Sequence, residues 1–428
     1  MEKFRVISDL HMDINSKYPF EIEDKDTFTL VAGDTSGEPY LISLKCDNPA
    51  VGISVEDCEK AVKFIGEGRS RAKFVYDKSD GTWKYGKKTV SEKESGISLS
   101  ENGVFPRDDD WVSKINDGDE VVFSVKSVEK WLRKNVRNGL IVAGNHLVYN
   151  RLGISIEEHK KRLAKKFPID GSLSFLDNSV GVMAKEVDGI LFIGSTLYTD
   201  YRLPISNGHF ETMPMYRSEQ QIIDYNKRMA SPKMSGGGLN DFNFGKTEEA
   251  TYSKAWSFEG DSELSHLTPT NYERFFKRTF EEIRRIVEAE DNKDKDIVIL
   301  THHCPSPKCI DDVYVDSPLN ASYVSDLEDF ITSHKNIKCW VCGHVHHRAD
   351  FLVGQCRVVM NPLGYCKYGE FLSSKDGISG DWTPYTYVNT KTWEVEKTPY
   401  DLSKFKKRRE DDEKARAAWY KKCGFIFC

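Results

Sequence analysis

No stretch of this 428-residue chain has the length and apolarity of a membrane span or a signal peptide, so a soluble, cytoplasmic protein with no membrane partner is expected. Positive charge is not in excess either. The 61 Lys and Arg against 67 Asp and Glu leave a formal net charge of −6, which excludes a molecule built as a whole to coat duplex DNA. Any anionic partner must be met locally. The ten cysteines lack the spacing of a disulfide framework. In "CWVC" the offset between Cys339 and Cys342 sends two strand thiols to opposite faces, which reads as reduced and buried. Internal repeats and extended low-complexity segments are missing. Histidine is scarce, with eleven in all, yet "CWVCGHVHH" places His344, His346 and His347 almost side by side.

What is present is a repeated pattern. Five apolar runs, "FRVISDLH", "FTLVAGD", "GLIVAGNH", "DIVILTHH" and "KCWVCGHVHH", each stop at polar residues able to bind a metal. Between some of them lie amphipathic helical patterns, such as Val128, Trp131, Leu132 and Val136 on one face and the aromatic stripe of "NYERFFKRTFEEIRRIVEAE". Strands alternating with helices predict an α/β architecture. The length predicts more than one unit: a catalytic domain over 1–45 and 126–400, an insertion over 46–125, and a charged helical tail over 401–428. Within the insertion, a candidate substrate cap, "AKFVYDKSDGTWKYGKK" predicts a hairpin turning at Asp80 and Gly81. Residues 200–262 look long and irregular, with "MSGGGLNDFNFG" as a mobile loop.

Residues i and i+2 of an extended strand point the same way, so Asp9 and His11 should reach one point in space, and His344 and His346 share that spacing at the end of the fifth run, where they would supply one ligand to each of two metals. Asp34 follows Gly33, where glycine lets the chain turn sharply. Asn145 and His146 end the third run, and His302 and His303 the fourth. Ligand sites gather outside the carboxyl ends of such strands. Two carboxylates, several imidazoles and an amide oxygen, without thiolate, suit divalent first-row ions: Mn²⁺ first, with Fe²⁺, Zn²⁺ or Ni²⁺ compatible. The ligands are too many for one ion. A bridging carboxylate would complete a site of two divalent metal ions that clamps an in-line displacement at phosphorus.

The ordered set "SDLH", "AGD", "AGNH", "THH" and "CGHVHH" resembles the calcineurin-like metallophosphoesterase superfamily. "FIGSTLYTDY", "THHCPSP" and "VVMNPLGY" are similar to a bacterial and phage branch of it, and the match covers residues 1–45 and 126–375. The resemblance implies a β-sandwich flanked by helices (αββα), with a mainly β and loop insertion. It implies Asp9, His11 and His346 on one metal, Asn145, His302 and His344 on the other, and Asp34 bridging both. His146 would be catalytic, assisting the leaving group or holding the phosphate. His303 is a candidate substrate contact and an alternative to His302 as ligand. The implied activity is hydrolysis of a phosphodiester, in a nucleotide or nucleic-acid end, by in-line attack of metal-bound hydroxide. Phosphomonoesterase, protein-phosphatase or pyrophosphatase activity is the enzymatic alternative, and a metal-binding interaction scaffold the non-enzymatic one.

The chain departs from the protein-phosphatase members of that superfamily in "GDTSGE" and "GNHLVY". The phosphate-binding arginine is absent, and Leu147 cannot orient His146 as an acid would. In the insertion, Arg69, Arg71, Lys73, Lys84, Lys87 and Lys88 interleave with Phe74, Tyr76, Trp83 and Tyr85. That pattern suits single-stranded nucleic acid, but an ordinary twisted hairpin with a solvated face accounts for it more simply. His347 reads equally as a partner of the site or as a surface residue. His159, His209, His266 and His334 read as solvated.

Overall fold

The apolar runs become short strands because β-branched and aliphatic residues fill a sheet that is buried on both faces. The computed structural model describes residues 1–12, 14–15, 18–35, 40–46, 71–77, 82–85, 88–91, 120–149, 155–204, 218–231, 238–249, 265–372 and 380–422. In chain order the strands are β1 (Lys3–Ile7), β2 (Thr29–Ala32), β3 (Tyr40–Cys46), β4 (Arg71–Asp77), β5 (Thr82–Tyr85), β6 (Lys88–Ser91), β7 (Glu120–Ser127), β8 (Gly139–Val142), β9 (Leu173–Phe175), β10 (Ala184–Val187), β11 (Ile190–Ser195), β12 (Lys246–Thr247), β13 (Ser265–His266), β14 (Asp296–Thr301), β15 (Ile337–Cys342), β16 (Ala349–Val353), β17 (Cys356–Met360), β18 (Thr386–Asn389) and β19 (Val395–Lys397). The helices are α1 (Val128–Asn135), α2 (Ile156–Lys166), α3 (Glu219–Ala230), α4 (Asp241–Phe244), α5 (Pro269–Val287), α6 (Glu328–Ser333) and α7 (Ser403–Lys422).

Two six-stranded sheets result, ordered β19-β18-β1-β2-β8-β9 and β10-β11-β14-β15-β17-β16. The pairs β1–β2, β2–β8, β8–β9, β11–β14, β14–β15 and β15–β17 are parallel, and antiparallel strands close the edges at β18, β19, β10 and β16. Alternate residues of both sheets meet in one core: Phe4, Val6, Leu30 and Val142 pack with Phe192, Val298, Leu300 and Val341. Ile7, Val31 and Ile141, with Ile299, Trp340 and Met360, face the other way and join Leu132, Ile156, Tyr272 and Ile283 of the helices. This is the expected sandwich flanked by helices. Cys339 and Cys342 fall into different cores, as their offset requires, and six cysteines (304, 309, 339, 342, 356 and 366) are buried and free.

The remaining large sheet is antiparallel, ordered β3-β7-β4-β5-β6. Its β4–β5 hairpin sets Phe74 opposite Tyr85 and Tyr76 opposite Trp83. The expected turn at Asp80 and Gly81, and the polar stretch from 92 to 119, lie outside the described residues. Pairing begins at Tyr40 and ends at Ser127, a wider span than 46–125.

Three expectations need correction. Residues 219–230 are not irregular: they form α3, started by a capping box in which Ser218 and Gln221 satisfy each other's backbone N–H. In "GGGLNDFNFG" the described part forms the turn of α4, with Asp241 fully buried. His159 is buried, because the face of α2 that carries it also carries Ile156. The charged helix α7 forms as expected, but Phe405 is buried against Tyr18 and Phe371. Among the described residues no helix is long and apolar enough to cross a membrane.

Candidate metal centre

The polar residues that end the apolar runs follow the carboxyl ends of β1, β2, β8, β14 and β15. They do not converge through strand alternation. β1 stops at Ile7 and β15 at Cys342, and the backbone then coils left-handed: φ is 51° at Asp9, 42° at His11, 44° at Asp34, 72° at His344 and 54° at His346. Side chains other than glycine cost on the order of 1–3 kcal/mol each in such backbone, a cost met where the surrounding fold fixes a functional site. Glycines make the room. A Cβ on Gly144 would run into Asp34 Oδ1, and one on Gly343 into Asp9 Oδ2.

Three groups of ligand-type atoms result, each lying within 4.8 Å of one another: Asp9, His11 and His346; His11, Asp34 and His146; Asp34, His302 and His344. Asp34 Oδ1 accepts the backbone N–H of His146 at 2.9 Å. Its Oδ2 stands 3.3 Å from His302 Nε2 and 3.9 Å from both His11 Nε2 and His146 Nε2, so one carboxylate oxygen faces both halves of the site. Asn145 Oδ1 is 2.9 Å from His302 Nε2, and His11 Nε2 is 2.8 Å from His346 Nε2. The structure therefore brings Asp9, His11, Asp34, Asn145, His146, His302, His344 and His346 together.

No protein-family model matches the chain. An uncharacterized protein of Acanthamoeba polyphaga mimivirus is 23% identical over 262 residues, spanning 58% of this chain and 72% of that protein. Among solved structures, a phosphopantetheinyl hydrolase from Mycobacterium tuberculosis aligns with 14% identity over 85% of this chain and 89% of that one, with a TM-score of 0.46. A candidate 5'-nucleotidase from Staphylococcus aureus, solved with alpha-ketoglutarate, aligns with 13% identity over 66% of this chain and 44% of that one, with a TM-score of 0.25.

Neighbours fix how each group is presented. Asn145 Nδ2 donates to both oxygens of Asp241, at 3.0 and 3.2 Å, which turns its Oδ1 inward; Tyr272 Oη donates to the same carboxylate at 2.8 Å. His302 Nδ1 donates to Ala32 O at 2.9 Å, and His346 Nδ1 sits 2.6 Å from Glu370 Oε2, leaving each Nε2 to face the centre. Asp9 Oδ1 accepts from the backbone N–H of His344 at 2.9 Å. His146 Nε2 lies 3.0 Å from Tyr365 Oη. Sequence reasoning missed Asp241, Tyr272, Glu370 and Tyr365. Tyr365 stood in the quoted "VVMNPLGY", Asp241 in "MSGGGLNDFNFG" and Tyr272 in "NYERFFKRTFEEIRRIVEAE", but none was given a role at the site.

The donor set fits metal cations. Asp9 Oδ2 and His344 Nε2 are buried and have no hydrogen-bond partner, a rare state for buried polar atoms. His302 Nε2, Asn145 Oδ1 and Asp34 Oδ2 converge, so a proton or a metal cation must stand among them. Without metal the proton takes that place: burial opposes charge on His302, but Asp34, Asp9 and the Ala32 carbonyl together outweigh burial and push the imidazole up to about 9. Burial likewise opposes charge on His346, and its bond to Glu370 raises it. Asp34 is held well below the usual carboxylate range, since His302 and His146 outweigh its burial. Burial drives His11 and His344 well down, as neutral ligands require.

Among the described residues the other histidines join none of these groups. His303 is fully buried, its ring 4.3 Å from that of His344 and its Nδ1 3.2 Å from Thr196 O; burial pushes it down to about 3. Contact with a substrate would require it to be uncovered. His347 pairs with Asp311 at 3.1 Å, and His266 lies 2.8 Å from Lys246 Nζ. His209 lies outside the described residues.

Proposed function

We propose that this chain is a two-metal-dependent phosphoesterase that hydrolyses a phosphodiester, in a nucleotide or at a nucleic-acid end. The observation that supports this reading is the clustering of Asp9, His11 and His346 and of Asp34, His302 and His344, with Asn145 Oδ1 2.9 Å from His302 Nε2 and Asp34 Oδ2 within 3.9 Å of both His11 Nε2 and His302 Nε2. Each trio would hold one divalent ion, with Mn²⁺ the first choice, and Asp34 would touch both. Bound there, such ions supply Lewis acidity to the phosphoryl oxygens and make water a competent nucleophile near neutral pH.

The chain's own residues do the rest. Asp34 keeps Oδ1 on the His146 backbone and offers Oδ2 to both halves. Asp241, Glu370 and Ala32 O hold Asn145, His346 and His302 in their coordinating orientations, which removes reorganisation from the reaction. His146 Nε2 lies 3.0 Å from Tyr365 Oη, and His146 would hand a proton to the departing oxygen.

Diester preference follows from charge. Arg348 lies behind Glu370, but its guanidinium donates to the backbone oxygens of Gly380, Glu370 and Leu372. It is committed to the fold and does not anchor phosphate. A monoanionic diester asks for less neutralisation beyond the metals than a dianionic monoester does. The sheet from Tyr40 to Ser127 leaves the body shortly after Asp34, which suits a cap over larger substrates. The test strips the metal, reloads Mn²⁺ and compares a chromogenic diester with its monoester, in the full chain and with residues 40–127 replaced by a short linker. Higher kcat/KM on the diester is expected in both, with only larger nucleotide substrates affected by the replacement. A preference for the monoester would defeat the diester reading.

A further inference from the structure

We propose that Cys304, Cys309 and Cys342 form a separate, thiolate-only site for one soft, thiophilic cation, Zn²⁺ or Cu⁺. The three thiols arrive from different segments. Cys304 lies in the turn after β14, Cys309 closes the 3-10 turn Pro307–Cys309, and Cys342 is the last residue of β15. Their sulfur atoms lie within 4.8 Å of one another, and all three residues are fully buried. Metal–sulfur bonds of ~2.3 Å in trigonal or tetrahedral array place sulfurs roughly 3.8–4.0 Å apart, so the cluster needs only a small contraction to close on an ion. Cys339, Cys356 and Cys366 are equally buried, yet among the described residues they join no such group. Burial alone therefore does not gather thiols here.

The two ligand sets are chemically segregated. The Asp, Asn and His atoms at the strand ends suit ions of intermediate hardness, whereas the three-sulfur group contains no oxygen or nitrogen ligand and selects soft ones. Three donors suit three-coordinate Cu⁺; Zn²⁺ would recruit a fourth. The site would also brace the phosphoesterase centre from behind. Cys304 follows His302 by two residues, Cys342 precedes His344 by two, and Cys304 Sγ donates to Gly343 O at 3.0 Å. An ion there would tie together the two turns that present those imidazoles.

The inference stands independently of the proposed hydrolysis, because its test reads sulfur ligation and not turnover. Reduced full-length protein is titrated with Cd²⁺, whose bonds to thiolate, unlike those to imidazole or carboxylate, give an ultraviolet charge-transfer band. Wild type should show the band with an amplitude matching one ion on three thiolates. Cys309→Ser should lose it, and Cys366→Ser should keep it, with near-ultraviolet circular dichroism establishing that both are folded. Zn²⁺ and Cu⁺ added separately then compete, and the ion that abolishes the band at one equivalent is the one the site selects. X-ray absorption at the zinc or copper edge of the loaded wild type needs no variant and should find three sulfur neighbours. No band in folded wild type, a band that survives in Cys309→Ser, failure of both ions to displace Cd²⁺, or an edge spectrum with only nitrogen and oxygen neighbours would each overturn the inference.

Discussion

Asp241→Ala removes a carboxylate that never touches a proposed metal, and its effect on metal binding should nevertheless be large. Asp241 is fully buried and accepts three hydrogen bonds: two from Asn145 Nδ2, at 3.0 and 3.2 Å, and one from Tyr272 Oη at 2.8 Å. Without it, two buried donors lose their acceptor at about 1–3 kcal/mol each, so unfolding free energy should fall by roughly 2–6 kcal/mol. Asn145 is also freed to rotate its amide. Loss of a partner that orients a metal ligand typically weakens affinity by about 10–100-fold. Isothermal titration of the metal-free protein with Mn²⁺ should therefore show one of two binding steps weakened by that factor, while the step assigned to Asp9, His11 and His346 is unchanged. Asp241→Asn keeps one acceptor and should recover part of the loss. If folded Asp241→Ala binds both ions as tightly as wild type, Asn145 is not held for a metal and its assignment fails.

His146→Ala should lower kcat by about 10²–10⁴-fold while metal content stays near two ions per chain, because His146 is assigned proton transfer and not ligation; elemental analysis beside single-turnover rates separates these, and loss of an ion would make His146 a ligand. Metal uptake should weaken as pH falls. His302 is pushed up to about 9 in the metal-free protein and His346 is also raised, so as pH falls each ion must displace a proton, at a cost of up to about tenfold in affinity per pH unit per proton. The same raised His302 stabilises the metal-free fold fully below its ordinary value of 6.5, and that contribution disappears as pH climbs through about 9. Affinity independent of pH between 6 and 8 would contradict the placing of His302 among the ligands.

The sandwich was legible because β1, β2, β8, β14 and β15 are buried on both faces, so their runs are almost continuously apolar and each stops where polar side chains begin. The gathering of Asp9, His11, Asp34, Asn145, His302, His344 and His346 was legible for the same reason: they sit at the ends of those runs. The reason given for their convergence was wrong in mechanism. Asp9, His11, His344 and His346 lie beyond the strands in left-handed turns, a conformation no pattern of hydrophobicity signals. The partners that hold the site were illegible. Asp241 and Glu370 are distant in sequence from the groups they orient, and their role exists only once the chain has folded. Asp241 also sits beside a glycine run that reads as a loop. His159 was misread because its neighbours in α2 are charged, although the helix turns that position to the core.

The most direct measurement of the central claim is the Mn²⁺ content of wild-type protein stripped of metal and reconstituted, beside that of Asp34→Asn. Mn²⁺ favours oxygen and nitrogen donors and leaves the thiol cluster aside. Because Asp34 Oδ2 faces both groups of ligands, the wild type should hold two Mn²⁺ per chain, and Asp34→Asn should weaken both sites together. One ion or none in wild type, or loss of a single ion with the other held at full affinity in Asp34→Asn, would contradict a bridged pair of metals.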